Sequence, residues 1–114
     1  MVTIYHNPRC SKSRQALELL RQRGIEPEIV LYLETPPNAA TLQELLVKLG
    51  LGARQLLRKG EPEYREAGLD DLSLDDAAIV AAMVRHPRLI ERPIVVAGAR
   101  AALGRPPELV LEIL

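Results

Sequence analysis

The sequence predicts an α/β fold in which a βαβ unit, a helical insertion and a ββα unit share one mixed sheet. Three observations lead there. Val2, Thr3, Ile4 and Tyr5 form a β-branched and aromatic run, and apolar residues at helical spacing, Ala16, Leu17 and Leu20, follow it closely. Ile29, Val30 and Leu31 make a short apolar run of the kind buried on both faces of a parallel sheet. Ile94, Val95 and Val96 come after Pro93, with Gly98 placed for a tight turn into another strand.

Taken in order, strand one covers residues 2–5, and a helix then runs to Gly24, a residue suited to the left-handed position just beyond a helix end. Residues 28–33 form the second strand, so the first two strands are parallel with a right-handed crossover. Pro36 and Pro37 stop that strand, since neither can donate to a sheet ladder. Leu42, Leu45, Leu46 and Leu49 mark a helix, with Thr41 and Glu44 as a capping box and Gly50 closing it. A shorter helix is predicted over 53–59. Ser73 and Asp76 open another that carries Ile79, Val80, Met83 and Val84 and ends at His86-Pro87. These three helices form an insertion over about residues 38–88 of a single domain covering 1–114. Residues 94–96 and 99–103 pair as an antiparallel hairpin, and a last helix presents Leu109, Val110, Ile113 and Leu114. The order is that of a thioredoxin-like fold, in which a cysteine after the first strand faces a proline before the third.

Composition narrows the chemistry. A chain of 114 residues can bury a core without disulfides, and its single cysteine cannot form an internal bridge. That usage fits a reducing compartment, and with no leader or long apolar run the expectation is a cytoplasmic protein with no membrane partner. One cysteine and two distant histidines argue against a metal site. Lys+Arg and Asp+Glu both number 15 and Phe and Trp are absent, so neither bulk charge nor aromatic stacking favours nucleic acid. Charge is unevenly placed: residues 9–23 are mostly basic, and 61–76 are mostly acidic and read as a solvated face.

Cys10 lies in the turn between the first strand and first helix, flanked by Arg9, Ser11 and Lys12. Unpaired amides in a first helical turn stabilise a thiolate, and Arg9, Lys12 and Arg14 add positive charge nearby. The alternative is a buried cysteine packing as a small hydrophobe, but the flanks are polar. A thiolate that attacks an oxyanion forms an adduct needing a second thiol, and Ser13 holds the place a partner would take in a Cys-x-x-Cys motif. The second thiol must come from outside. Ser13 either caps the helix, bonds the sulfur, or both; His6 either tunes the thiolate or is a bystander. Arg58, Arg92 and Arg105 each stand at an element end, where they either gather into an oxyanion pocket or remain surface arginines.

A set of motifs carries a family resemblance: Tyr5-His6-Asn7-Pro8-Arg9-Cys10-Ser11-Lys12-Ser13-Arg14, Tyr32-Leu33-Glu34-Thr35-Pro36-Pro37, Leu56-Leu57-Arg58-Lys59, Glu91-Arg92-Pro93-Ile94-Val95-Val96 and Gly104-Arg105-Pro106-Pro107-Glu108. Together, in this order and nearly end to end, they resemble the glutaredoxin-coupled arsenate reductases. The resemblance implies a cis Arg92-Pro93 bond, reduction of arsenate to arsenite, Cys10 as the nucleophile and Arg58, Arg92 and Arg105 as the oxyanion-binding triad. It gives His6 and Ser13 supporting roles near the sulfur. It also implies no bound cofactor, glutathione as co-substrate and glutaredoxin as the partner that reduces the Cys10–glutathione disulfide.

Two departures stand out. The loop after the cysteine is Ser11-Lys12-Ser13 where well-studied members have a smaller Gly-Thr-Ser pattern, and the sequence stops at Leu114 where some members carry a long tail. Both features are similar to a short chromosomal branch, which makes a glutathione-dependent thiol reductase of another substrate the runner-up. The Spx-type regulators, which bind RNA polymerase, share the fold but usually carry a Cys-x-x-Cys switch that Ser13 removes here.

Overall fold

A computed structural model describes residues 1–114. It has a four-stranded mixed sheet of order β2-β1-β3-β4, with β1 Val2–Tyr5, β2 Glu28–Val30, β3 Ile94–Ala97 and β4 Arg100–Leu103. β1 pairs parallel with β2 and antiparallel with β3, and β3 with β4 antiparallel, as the βαβ and hairpin signals predict. The chain divides into two compact units, Met1–Thr35 with Arg92–Leu114, and Pro36–Glu91.

In the sheet unit, α1 Ser11–Gln22 follows β1 and buries Ala16, Leu17 and Leu20 against Ile4 and Val95, which face each other across β1 and β3. Gly24 (φ +76°) ends this helix: its N–H donates to Arg21 O, and the Ile25 N–H to Leu20 O, two bonds that satisfy carbonyls of the last turn. Ile25 then turns into the same core. Gly98 (φ +64°) supplies the positive φ of the two-residue turn between β3 and β4.

Two expectations for this unit are corrected. β2 spans three residues rather than 28–33 and is an edge strand, so Glu28 and Ile29 are exposed rather than buried on both faces. An apolar run alone does not specify how many strands flank it, and β2 has one neighbour. The last helix is a 3-10 segment, Pro107–Ile113, in which Pro107 and Val110 are buried at period three and Leu114 is exposed.

The second unit is helical: α2 Ala39–Leu49, α3 Ala53–Leu56, α4 Pro62–Glu66, α5 Asp76–Arg85 and a 3-10 turn Pro87–Leu89. Leu42, Leu45, Leu46, Leu56, Ile79, Val80, Met83 and Leu89 are buried. Arg54 donates to the Leu69 and Asp71 carbonyls and so anchors the loop after α4 to α3. Four α-helices stand where three were expected, because α4 opens with Pro62 at its first position inside a stretch whose acidic character suggested a solvated face. The caps also differ. Asn38 accepts the Thr41 N–H and Asp75 accepts the Ala78 N–H, whereas Ser73 bonds Asp71 in a turn before the helix. A side chain with non-helical φ and ψ caps best, and Asn and Asp outcompete the Thr41 and Ser73 starts. α3 ends at Leu56 rather than 59, where Leu57 pairs with Ile90 in an isolated bridge. No helix is long and apolar enough to cross a membrane.

Candidate active site

Cys10 is the N-cap of α1, with extended backbone (φ −92°, ψ 122°), and its carbonyl accepts the Arg14 N–H as the first bond of the helix. The preceding turn holds it there: the Cys10 N–H donates to Asn7 O, and the Asn7 Oδ1 accepts the Arg9 N–H. An Asn-Pro pair at a strand end builds this turn, since the amide side chain replaces a backbone acceptor and Pro8 fixes its own φ. Asn7 is buried and was not among the expected site residues; the Asn-Pro signal was its only mark in the sequence.

The sulfur is partly buried. Burial pushes the Cys10 thiol up, but the Ser13 and Lys12 backbone amides and the Arg105 and Arg92 charges outweigh it, so its pKa lies below that of an ordinary thiol. The helix N-terminus thus acts on Cys10 as expected. The guanidinium charges come from the far end of the sequence rather than from the neighbouring Arg9 and Arg14, and Lys12 contributes through its backbone N–H.

Ser13 is fully buried in the first turn of α1, and no side chain caps that helix start. Its Oγ lies 2.6 Å from His6 Nδ1 and accepts the Asn7 N–H at 3.1 Å. The Ser13 hydroxyl therefore ties the Asn7 backbone to the His6 ring. Burial first, then the charges of Arg21 and Arg14, lower the His6 pKa and keep the ring neutral. His6 is therefore bound into the loop supporting Cys10, through the serine expected either to cap or to bond the sulfur.

Arg92 and Arg105 come together at the end of the sheet. Arg92 is buried, precedes β3, and its carbonyl accepts the Arg105 Nε–H at 3.0 Å. Both arginines precede a proline in the cis form, Pro93 and Pro106. Gly104 makes this approach possible. Its N–H donates to Pro93 O at 2.8 Å, and a Cβ on it would lie 2.6 Å from Pro93 Cγ. In the sequence this glycine stands out only as the first residue of the Gly104-Arg105-Pro106-Pro107-Glu108 motif.

Arg58 belongs to the helical unit. Its N–H donates to Leu89 O, its Nε lies 3.5 Å from Glu91 Oε1, and its Nη1 lies 3.7 Å from Glu61 Oε1. Glu61 also accepts from Arg88 Nη2 at 3.0 Å, so this part of the acidic stretch is paired and partly buried rather than a solvated face. Long ion pairs of this kind hold a guanidinium weakly and leave it exchangeable for a better anion.

A lowered thiol at a helix start, under the charges of Arg105 and Arg92, is an arrangement for attack on an anion. Comparison with known proteins gives the family. A model of the ArsC family matches residues 5–113. The chain belongs to the ArsC family. This ArsC protein is 50% identical over 114 residues to an arsenate reductase of Neisseria meningitidis serogroup A, covering 99% of this chain and 97% of that one. It is 60% identical over 113 residues to the uncharacterised Escherichia coli K12 protein YfgD, covering 98% of this chain and 95% of the relative. Among solved structures, an arsenate reductase from Vibrio cholerae superposes with a TM-score of 0.96 at 54% identity, covering 99% of this chain and 97% of that one. The thioredoxin-like fold expected from the element order is the fold of this ArsC chain.

Proposed function

We propose that the protein reduces arsenate to arsenite through a covalent adduct on Cys10. The observation that supports this reading is a Cys10 thiol lowered by the helix-start amides and by the charges of Arg105 and Arg92, which suits it to attack an anion. The names of the Neisseria and Vibrio relatives support arsenate as the oxyanion. Arg58 joins the proposal on the family resemblance, as a third oxyanion-binding guanidinium.

In the first step the Cys10 thiolate attacks arsenic and an arsenate oxygen leaves as water, giving a sulfur–arsenic bond with arsenic still pentavalent. The amides at the helix start and the two arginines hold the negative charge on the arsenate oxygens. In the second step the thiolate of glutathione attacks Cys10 Sγ. A disulfide bond forms, the sulfur–arsenic bond breaks, and its electron pair stays on arsenic, which leaves as trivalent arsenite. A glutaredoxin thiolate then attacks the glutathione sulfur and releases Cys10. The chain contains no second cysteine, so both later thiols are external. His6 and Ser13 act as positioning residues that hold the loop on which Cys10 is presented.

Mass spectrometry of the intact protein tests the sequence of steps. Incubation with arsenate and reduced glutathione under argon is expected to load one glutathione on Cys10. Loading that occurs equally without arsenate, or on Cys10→Ser protein, would contradict the adduct. The runner-up, a glutathione-dependent thiol reductase of another substrate, is favoured by one feature: Lys12, partly buried in the first turn of α1 beside Cys10.

A further inference from the structure

β1 and β2 are neighbouring parallel strands, and the loops leaving their carboxyl ends diverge around a cleft of about 290 Å³. One wall is the turn Asn7, Pro8 and Arg9; the other is Leu31, Leu33 and Glu34. In open α/β sheets the crevice outside the carboxyl ends of strands is where ligands sit, and this volume is near the small end of ligand pockets, ~300 Å³. We infer that this cleft binds the second thiol substrate, a zwitterionic thiol peptide of the glutathione class, and presents its sulfur to the loaded Cys10. The inference rests on the proposed external-thiol mechanism and names the site it requires.

Three features select that occupant. Arg9 and Glu34 put a cation and an anion on the same small cleft, both are exposed, and neither takes part in any ion pair of the fold. Opposite charges that leave each other unpaired match a ligand carrying a carboxylate and an ammonium group. Beside Glu34 the same wall carries the apolar side chains of Leu31 and Leu33, the latter 39% exposed, a surface suited to the aliphatic body of a peptide. The Asn7-Pro8-Arg9 wall is the segment that runs directly into Cys10 in the chain, Arg9 and Cys10 having Cα atoms about 3.8 Å apart. A thiolate seated here attacks Cys10 Sγ; the disulfide forms as the sulfur–arsenic bond breaks, and arsenic keeps the electron pair.

S-methylglutathione, which carries the same charges but cannot form a disulfide, is the probe. Titrated into ¹⁵N-labelled full-length protein without arsenate, it is expected to give saturable shifts of the Arg9, Leu31, Leu33 and Glu34 amides. The charge reversal Glu34→Lys is expected to weaken that binding about fivefold or more, and Arg9→Glu likewise, whereas sulfate binding to Glu34→Lys protein stays as in the parent. Shifts confined to other surfaces, or affinity unchanged in both variants, would overturn the site. Because the titration contains no arsenate, it separates the two ideas. Saturable cleft binding without arsenate turnover overturns the proposed function, and turnover without cleft binding overturns the cleft.

Discussion

The guanidinium of Arg105 donates to the backbone carbonyl of Arg92 at 3.0 Å, joining two arginines thirteen residues apart whose charges both act on Cys10. The Gly104 N–H bond to Pro93 O, one residue away on each strand, holds the same pair of segments together. Much of the expected behaviour of this site follows from that joint.

Replacing either arginine removes a charge that lowers the Cys10 pKa. The pH dependence of alkylation by iodoacetamide is expected to move to higher pH in Arg105→Ala and Arg92→Ala, because the thiolate loses the cation that favours it. Arg14→Ala is the informative control: it bears on His6 rather than on the sulfur, so its alkylation profile is expected to overlay the parent's. A profile shifted by Arg14→Ala and not by Arg105→Ala would place the acting charges in the local sequence.

Gly104→Ala puts a methyl carbon 2.6 Å from Pro93 Cγ and 3.2 Å from Val110 Cγ1, a clash among rigid neighbours. Overpacking of this kind costs about 1–3 kcal/mol. Urea unfolding is expected to show that loss, and Cys10 alkylation is expected to move to higher pH as Arg105 is displaced. A variant as stable as the parent would mean the two segments have room to separate.

Ser13→Ala leaves the buried Asn7 N–H and His6 Nδ1 without the oxygen they share. Stranding buried polar groups costs about 1–3 kcal/mol, measurable by chemical denaturation. Ser13→Thr keeps the hydroxyl and is expected to recover part of it. Equal stability of Ser13→Ala and the parent would show that water replaces the hydroxyl.

His6 also sets a pH dependence of stability. Its folded pKa lies below the unfolded value of 6.5, so the unfolded state binds more protons in the window between the two. Stability contributed by the neutral ring is therefore complete above about pH 6.5 and declines as pH falls through the window. His6→Asn is expected to flatten that decline in denaturation curves taken from pH 7.5 to 5. An unchanged slope would assign the decline to other groups.

Much of the fold was legible in the sequence because its signals are local. Ile4 and Val95 declared their strands by side-chain type, and Gly24, Gly50 and Gly98 marked turns that need positive φ, which each of them has. Errors came where two local signals competed or where the answer lay elsewhere in the chain. Asn38 and Thr41 are both plausible caps, and only the path out of Pro36 and Pro37 chooses Asn38. The 28–33 run looked buried on both sides, but burial of a strand depends on its neighbours, and β2 has one. At the site, Cys10 and its helix start could be read directly. The Ser13 bond to His6 and the Arg105 bond to Arg92 join residues whose spacing carries no pattern, so chemistry suggested the residues and only the fold supplied the partners.

The most direct test is steady-state turnover of arsenate by the purified full-length protein, followed through NADPH oxidation with glutathione, glutaredoxin and glutathione reductase present and each omitted in turn. Arsenate-dependent oxidation that requires both glutathione and glutaredoxin and disappears in Cys10→Ser protein is the expected result. Oxidation that survives in Cys10→Ser protein, or a parent protein that alkylates rapidly at Cys10 and yet never turns over arsenate, would contradict the assignment.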